Sequence, residues 1–437
     1  MLKRIVLTFL FGFSTLAADF YQETGVEVFV LENGMRVALK QTENEPGEVL
    51  VRLMAEGGFA ELPARHRAAG EISLKAALRS GISDFGFDKM HTLLYEYSIE
   101  FETQMQPFSR SLELSSGSNE LEQLFKFVNL FFTKSRFSQK AYEAHKKNLQ
   151  VLLKNREFDS IQKFEDAFMD LNTQQFHVFN SLKAKDVEKA SFEQSQHFFN
   201  QSFVNPADFV CVVVGDFSSE KAKQLIINYL GEIPKKDGAT SPKIPRLPNF
   251  QKGIKTKVMK NSQKSHAITR MTFPLQLAVK QDNARCLEVV NSLIKERLES
   301  KLCQQEDLKA EIRVCLDFPY YPSFHCPWIT IQYISDQKFV SSIGQSILVE
   351  LKRMQIDGFT KEEIEKIRIA SEASEKLAQM ENFYWLTQIA NYMIWNWDLA
   401  KLKKDFQGAS CWNLGEANKN MSSAISMDHY SIISLQP

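Results

Sequence analysis

The sequence has no excess of charge of either sign. Lysine plus arginine and aspartate plus glutamate each number 53, so the formal net charge at pH 7 is zero. Nucleic-acid-binding chains carry a basic face or stripe, so this balance gives no support for a nucleic-acid partner. The Gly215-Asp216 turn has no G-x-G-x-x-G or P-loop near it, and a nucleotide site is therefore unsupported as well.

Long apolar runs are also scarce. The run at residues 5–13 follows Lys3-Arg4 and precedes small residues at 14–18, a pattern typical of a secretory signal peptide over residues 1–18. The alternative is a membrane anchor, but the run is shorter than the ~20 residues that span a bilayer, and no later segment comes close. The sequence predicts an exported protein, periplasmic or secreted, with no membrane span after signal removal.

The six cysteines are too few and too scattered to form a dense disulfide framework. Cys211 lies in a run of valines and Cys286 on a helical face, and both are predicted to be buried small hydrophobic residues. No C-x-x-C spacing supports a zinc site, while one or two disulfides in the second half remain possible. The four other cysteines are Cys303, Cys315, Cys326 and Cys411.

The first structured segment predicts a β-hairpin. Asn33-Gly34 separates alternating apolar residues at 26–30 and 35–39, a strong signal of two strands joined by a tight primed turn. A third strand is predicted over residues 49–54 and ends near Gly57-Gly58. A helix is predicted to follow this turn over residues 68–78.

One helical pattern occurs twice in the chain. Apolar residues at helical spacing over 121–132 precede Phe137-Ser138 and a second helix, and residues 340–351 precede Phe359-Thr360 in the same way. Phe137 and Phe359 are 222 residues apart. Each second helix begins after a hydroxyl side chain suited to cap it, and Glu363 completes a capping box with Thr360. A unit that recurs at this separation predicts two similar domains.

The domain boundary is visible in the composition. A continuous apolar strand over 209–214 and a helix over 218–230 precede a segment rich in proline, glycine, serine and charge. The 437 residues suffice for two hydrophobic cores. We predict a signal peptide at 1–18, a first domain at 19–235, a linker at 236–250 and a second domain at 251–437. The predicted class is α+β, each domain being a mostly antiparallel sheet packed with helices.

The order and spacing of these features resemble the insulinase (M16) family of zinc peptidases across nearly the whole mature chain. The features are the Asn33-Gly34 hairpin, the strand ending at Gly58, the Phe137-Ser138 helix start, residues 207–216 and the repeated second domain. The likeness is to the non-catalytic second half of long bacterial periplasmic members. It implies halves that pair as a clamshell around a chamber for unfolded peptides.

The metal-binding helix of that family has no ligands here. In H-x-x-E-H, two histidines four residues apart aim at one zinc ion and the glutamate deprotonates the bound water. His66 and Glu71 are instead five residues apart, about 140° around a helix. The family's third ligand falls at Val151-Leu152, neither of which can bind a metal. We therefore assign no catalytic, cofactor-binding or metal-binding residue and expect no cofactor.

Three functions follow from the resemblance. The first is a catalytically silent homologue that pairs with an active zinc subunit, or with itself, and contributes chamber wall and peptide-binding strand edges. The second is a structural protein without peptide handling, since Cys303 stands where the family places a peptide-holding arginine. The third, an active zinc peptidase with a non-standard site, requires residues such as His66, Glu71 and His91 to converge.

Overall fold

The computed structural model describes residues 18–156, 158–235, 242–261, 265–303, 310–407 and 411–437. The predicted signal peptide lies outside the described residues except for Ala18, and so do residues 236–241 of the predicted linker.

Seven strands of the first half form one sheet in the described part of the chain. The strands are β1 (Ala18–Tyr21), β2 (Val26–Val30), β3 (Arg36–Gln41), β4 (Glu48–Glu56), β5 (Glu100–Met105), β6 (Ser109–Gly117) and β7 (Phe209–Gly215). Their order is β1-β2-β3-β7-β4-β6-β5, and β3 with β7 is the parallel pair. Every residue of β7 is buried, as its uninterrupted apolar sequence predicts.

Helices cover both faces of this sheet. Those of the first half are α1 (Arg67–Ser80), α2 (Phe87–Glu96), α3 (Leu121–Lys134), α4 (Gln139–Arg156), α5 (Ser160–Asn172), α6 (Ala184–Lys189), α7 (Phe192–Ser202) and α8 (Ser219–Tyr229). The apolar stripe of α3, including Leu124, Phe125 and Val128, packs into the core beneath the sheet. The Ser218 hydroxyl caps α8 by accepting a hydrogen bond from the Lys221 backbone.

The second half repeats the arrangement with five described strands. They are β8 (Ile254–Lys260), β9 (Ala267–Pro274), β10 (Glu311–Asp317), β11 (Trp328–Ser335) and β12 (Tyr430–Gln436), in the order β10-β11-β9-β12-β8. The helices are α9 (Gln281–Cys303), α10 (Val340–Asp357), α11 (Lys361–Ala378), α12 (Asn382–Ile394), α13 (Leu402–Gln407) and α14 (Leu414–Ala424). The predicted capping box is present, since Thr360 and Glu363 exchange hydrogen bonds. Two mostly antiparallel sheets packed with helices confirm the predicted α+β class.

Each half covers the outer face of the other half's sheet with one helix. Helix α12 packs Ile389 and Met393 against Val212 of the first sheet. Helix α5 packs Phe168 against Trp328 of the second sheet, with ring centroids 6.3 Å apart. This exchange ties the halves together through buried apolar area.

The hairpin is present, but its turn is longer than the two-residue primed turn that we predicted. The β2–β3 ladder ends at Val30 and Arg36, and the loop between them is closed by a hydrogen bond from the Leu31 amide to the Met35 carbonyl. The Asn33 amide donates to the Leu230 carbonyl at 2.7 Å, which holds the loop against the end of α8. Only Gly34 of the pair has positive φ, at +90°.

Residues 242–250, the described part of the predicted linker, are more firmly packed than their polar composition indicated. Phe250 is buried against α5, and Ile244 and Leu247 pack against a cluster that includes Phe59. The Tyr320 hydroxyl donates to the Pro248 carbonyl at 3.1 Å. Scattered apolar residues without periodicity therefore find partners in both halves, which no local pattern could indicate.

Cys286 is buried, as we predicted, and it takes part in one of the second-half disulfides that the sequence left possible. It forms a disulfide with Cys411, which precedes α14, across a separation of 125 residues. The Cα atoms are 4.8 Å apart, within the usual range for disulfides. Cys211, Cys315 and Cys326 are free thiols, and Cys211 is buried as expected.

Removing this disulfide with the double substitution C286A/C411A is expected to lower the free energy of unfolding by about 2–4 kcal/mol, because the unfolded chain regains the entropy of a long loop. Urea unfolding of the oxidised protein measures this. C315S changes an exposed thiol and serves as the control. Equal midpoints for C286A/C411A and C315S would contradict the expectation.

Candidate functional site

The candidate site is helix α1, which stands where the resemblance places a metal-binding helix. Strand β4 ends at Glu56, and Gly57, with φ of +88°, turns the chain toward α1. A short 3₁₀ turn, Phe59–Glu61, buries the Phe59 ring on the way. Helix α1 then packs against α4, α6 and α7.

Positions 70 and 74 of α1, which are four residues apart, are occupied by core packing. A Cβ atom at Gly70 would lie 2.9 Å from Cβ of Phe59 and 2.7 Å from Cδ1 of Leu62, so the helix leaves no room for a side chain there. Leu74, one turn later, is 0% exposed in the first core. This face of α1 is a packing surface of small and apolar residues.

The three residues given as an example of a displaced zinc site have separate partners. His66 precedes α1, and its Nε2 lies 3.2 Å from the Gln194 amide nitrogen. Glu71 pairs with Arg67, and burial raises the pKa of its carboxyl despite that guanidinium. The His91 ring lies exposed on α2, 5.9 Å from the Phe87 ring.

The donor set does not fit a zinc ion. Among the described residues, no group of three or more histidine, cysteine, aspartate or glutamate side chains could hold a metal. Zinc requires at least three such ligands around one point.

The position of the family's third ligand is an apolar surface. Val151 and Leu152 lie on α4 and are 54% and 60% exposed. Leu153 next to them is buried against the cluster beneath α1. The outward face of α4 at this point therefore offers hydrophobic contact and no metal donor.

The space between α1 and α4 is electrostatically unfavourable for a cation. Burial, together with the positive charges of Arg79 and Lys75 on α1, lowers the pKa of His145 on α4 to about 4. Sequence reasoning missed His145 because it forms no spaced pair with another histidine. Its helical position near the buried Tyr142 was the available signal.

This histidine should make stability depend on pH. Between pH 6.5 and about 4, His145 is protonated in the unfolded chain but neutral in the folded protein. The free energy of unfolding therefore decreases as the pH falls through this range. The substitution H145Q is expected to reduce that loss, as measured by urea unfolding at several pH values. R79Q should make the loss smaller and end it at a higher pH, because removing a repelling charge raises the pKa of the folded His145. An unchanged profile in H145Q would contradict the assignment.

Strand β5 forms an open edge of the first sheet beside α1. It pairs with β6 from Glu100 to Met105, and no other described strand lies on its far side. Its free backbone groups are the kind to which an extended peptide adds as a further strand. The exposed Glu100 and Glu102 place negative charge along this edge.

Comparisons with known proteins agree with this geometry. A family model described as "Peptidase M16 inactive domain" matches residues 189–371. The "Zinc protease PQQL-like" of Arabidopsis thaliana is 25% identical over 392 residues, which cover 84% of this chain and 37% of that protein. The chain thus spans little more than a third of this relative.

Solved structures share the fold over almost the full chain. The periplasmic protease PqqL from Escherichia coli aligns with a TM-score of 0.81 at 16% identity, covering 100% of this chain and 48% of that one. A protease from Helicobacter pylori has a TM-score of 0.79 at 13% identity, covering 94% of this chain and 99% of that one. A chain of Complex III2 from Candida albicans has a TM-score of 0.72 at 13% identity, covering 94% and 95%.

The fold is that of one half of an M16-like protease. The resemblance seen in the sequence is confirmed: residues 189–371 match an M16 family model, and the homologues of the chain include PqqL-like zinc proteases.

Two further predictions bear on this homology. Within the described ranges, no helix is long and apolar enough to cross a membrane. The side chain of Cys303, at the position of the family's peptide-holding arginine, lies outside the described part of the chain, as do Gln304 and Gln305.

Proposed function

We propose that this chain is a non-catalytic half of an M16 peptidase assembly, pairing with an active zinc half or with a second copy of itself. The observation that supports the proposal is α1 itself, which carries no histidine pair and has Gly70 and Leu74, four residues apart, buried in core packing. Hydrolysis would then depend on another half.

The chain would contribute wall and binding edge to a peptide chamber. Its match to 48% of the E. coli PqqL chain is consistent with a unit that works beside a second half. The open edge of β5 supports capture of an extended, unfolded peptide through backbone hydrogen bonds. The apolar Val151 and Leu152 support contact with hydrophobic segments of such a peptide.

Affinity isolation from the native source, followed by peptidase assay with and without a chelator, tests this function. We expect activity in the isolated complex, its loss with chelator, and none in the purified chain alone. Chelator-sensitive activity of the chain alone would contradict the proposal and favour a zinc peptidase with a non-standard site.

The alternative is a scaffolding role without peptide handling. The likeness to a chain of Complex III2 from Candida albicans favours it, because that structure places this fold within a larger assembly. Stable association with a complex that lacks peptidase activity would support this alternative.

The proposal includes two features from the sequence. We propose domains at 19–235 and 251–437 joined by a linker at 236–250, consistent with a first sheet ending at Gly215 and a second beginning at Ile254. We also propose export after removal of residues 1–18, which the likeness to a periplasmic protease supports.

A further inference from the structure

A cavity of about 310 Å³ is lined by residues of the second half. It is bounded by the start of α9, the end of α11, the connection between β10 and β11, and α12, the helix that covers the first sheet. This volume is at the lower end of the range for pockets that hold small ligands or single side chains.

One wall of the cavity is aromatic. The rings of Phe324 and Trp397 stack with centroids 5.4 Å apart, and those of Trp395 and Trp397 lie 4.5 Å apart. Tyr321 and Tyr392 extend this wall. The faces of aromatic rings carry negative potential, and tryptophan attracts cations most strongly.

The lining also carries more negative than positive charge. Arg285 pairs with Glu288 at 2.7 Å and lies 3.6 Å from Glu375, so two carboxylates share one guanidinium. These are the charged side chains that line the cavity, and their formal charges sum to −1. The neutral amides of Gln388 and Asn391 complete the polar lining.

We propose that this cavity binds the cationic side chain of an arginine or lysine in a peptide. Aromatic faces and a surplus carboxylate both favour a cation, whereas an anionic ligand would meet the two glutamates. An apolar ligand would remove water from the charged wall without replacing its hydrogen bonds. The inference rests on the proposed peptide-handling function and specifies basic peptides as a ligand class.

Isothermal titration calorimetry of the full chain with N-acetylarginine amide and N-acetyllysine amide tests the proposal. The controls are N-acetylcitrulline amide and N-acetylnorleucine amide, which resemble the two probes in shape but are neutral. We expect saturable binding of the cationic probes and at least about tenfold weaker binding of the neutral ones. Equal affinities within each pair, or no binding of either cationic probe, would overturn the proposal.

The substitution E375Q keeps the oxygen that accepts the Tyr384 hydroxyl but removes the charge. It is expected to weaken arginine binding about tenfold, whereas E365Q, elsewhere on α11 and outside the cavity, should leave it unchanged. Equal binding by E375Q and wild type would contradict the proposal. If E375Q fails to fold, the neutral probes on wild-type protein still decide it. A lack of binding by the cationic probes would not change the result of the peptidase assay on the isolated complex. The proposed cation site and the proposed function can therefore fail separately.

Discussion

Replacing Asp208 with alanine is expected to lower the free energy of unfolding by about 3–5 kcal/mol, because it leaves a buried guanidinium without its counter-ion. Arg110 and Asp208 lie 3.1 Å apart, with side chains only 7% and 5% exposed. Arg110 also donates to the Ser202 carbonyl at 2.6 Å and to the Glu56 carbonyl. One arginine thus joins β6, the end of β4, the end of α7 and the start of β7.

Burial lowers the pKa of Arg110, and the negative charge of Asp208 opposes that effect. The Asp208 carboxylate therefore stabilises the charged guanidinium in its buried position. Urea unfolding at neutral pH gives the measurement. The control is E311A, which breaks an exposed pair with Arg313, and it should cost less than about 1 kcal/mol. If D208A lowers the free energy of unfolding by no more than E311A does, this account of the Arg110–Asp208 pair is contradicted.

The substitutions G70H/L74H, which install histidines four residues apart on α1, are expected to cost about 3 kcal/mol or more and to create no zinc site. The imidazole at position 70 would collide with Phe59 and Leu62, and the one at position 74 would enter an apolar core. Unfolding free energy and zinc content after dialysis are the two readouts.

The matched control is K75H, which places one histidine on the exposed face of the same helix and should change stability by no more than about 0.5 kcal/mol. A stable G70H/L74H protein that retains zinc would show that α1 still has the geometry of a metal-binding helix and lacks only the ligands. That outcome would contradict the description of α1 as a packing element.

Local sequence patterns predicted several elements of the fold. The apolar periodicity of α3 and α10, the capping box at Thr360 and the continuous strand β7 are all present, because each depends on neighbours in the chain. The hairpin turn was predicted less well, because the contact of Asn33 with the end of α8 lengthens the loop.

What the sequence could not provide depends on contacts between distant segments. Strand β8 is a lysine-rich edge strand recognisable only through its parallel pairing with β12. The exchange of α5 and α12 between halves and the disulfide across 125 residues have no local signature. The cavity at Arg285 is lined by four separate segments and has no local signature either.

The candidate site was predicted chiefly as an absence. Missing histidine spacing is readable from sequence, whereas the tight contact of Gly70 with Phe59 and Leu62 requires the fold. The positive surroundings of His145 likewise arise from pairing α1 with α4.

Metal analysis of the purified chain tests the central claim most directly. Elemental analysis after equilibration with zinc and dialysis should give far less than one zinc ion per chain, with no change in H66A, E71A or H91A. One zinc ion per chain that is lost in those variants would contradict the account, because it would place a metal centre on residues that here have separate partners.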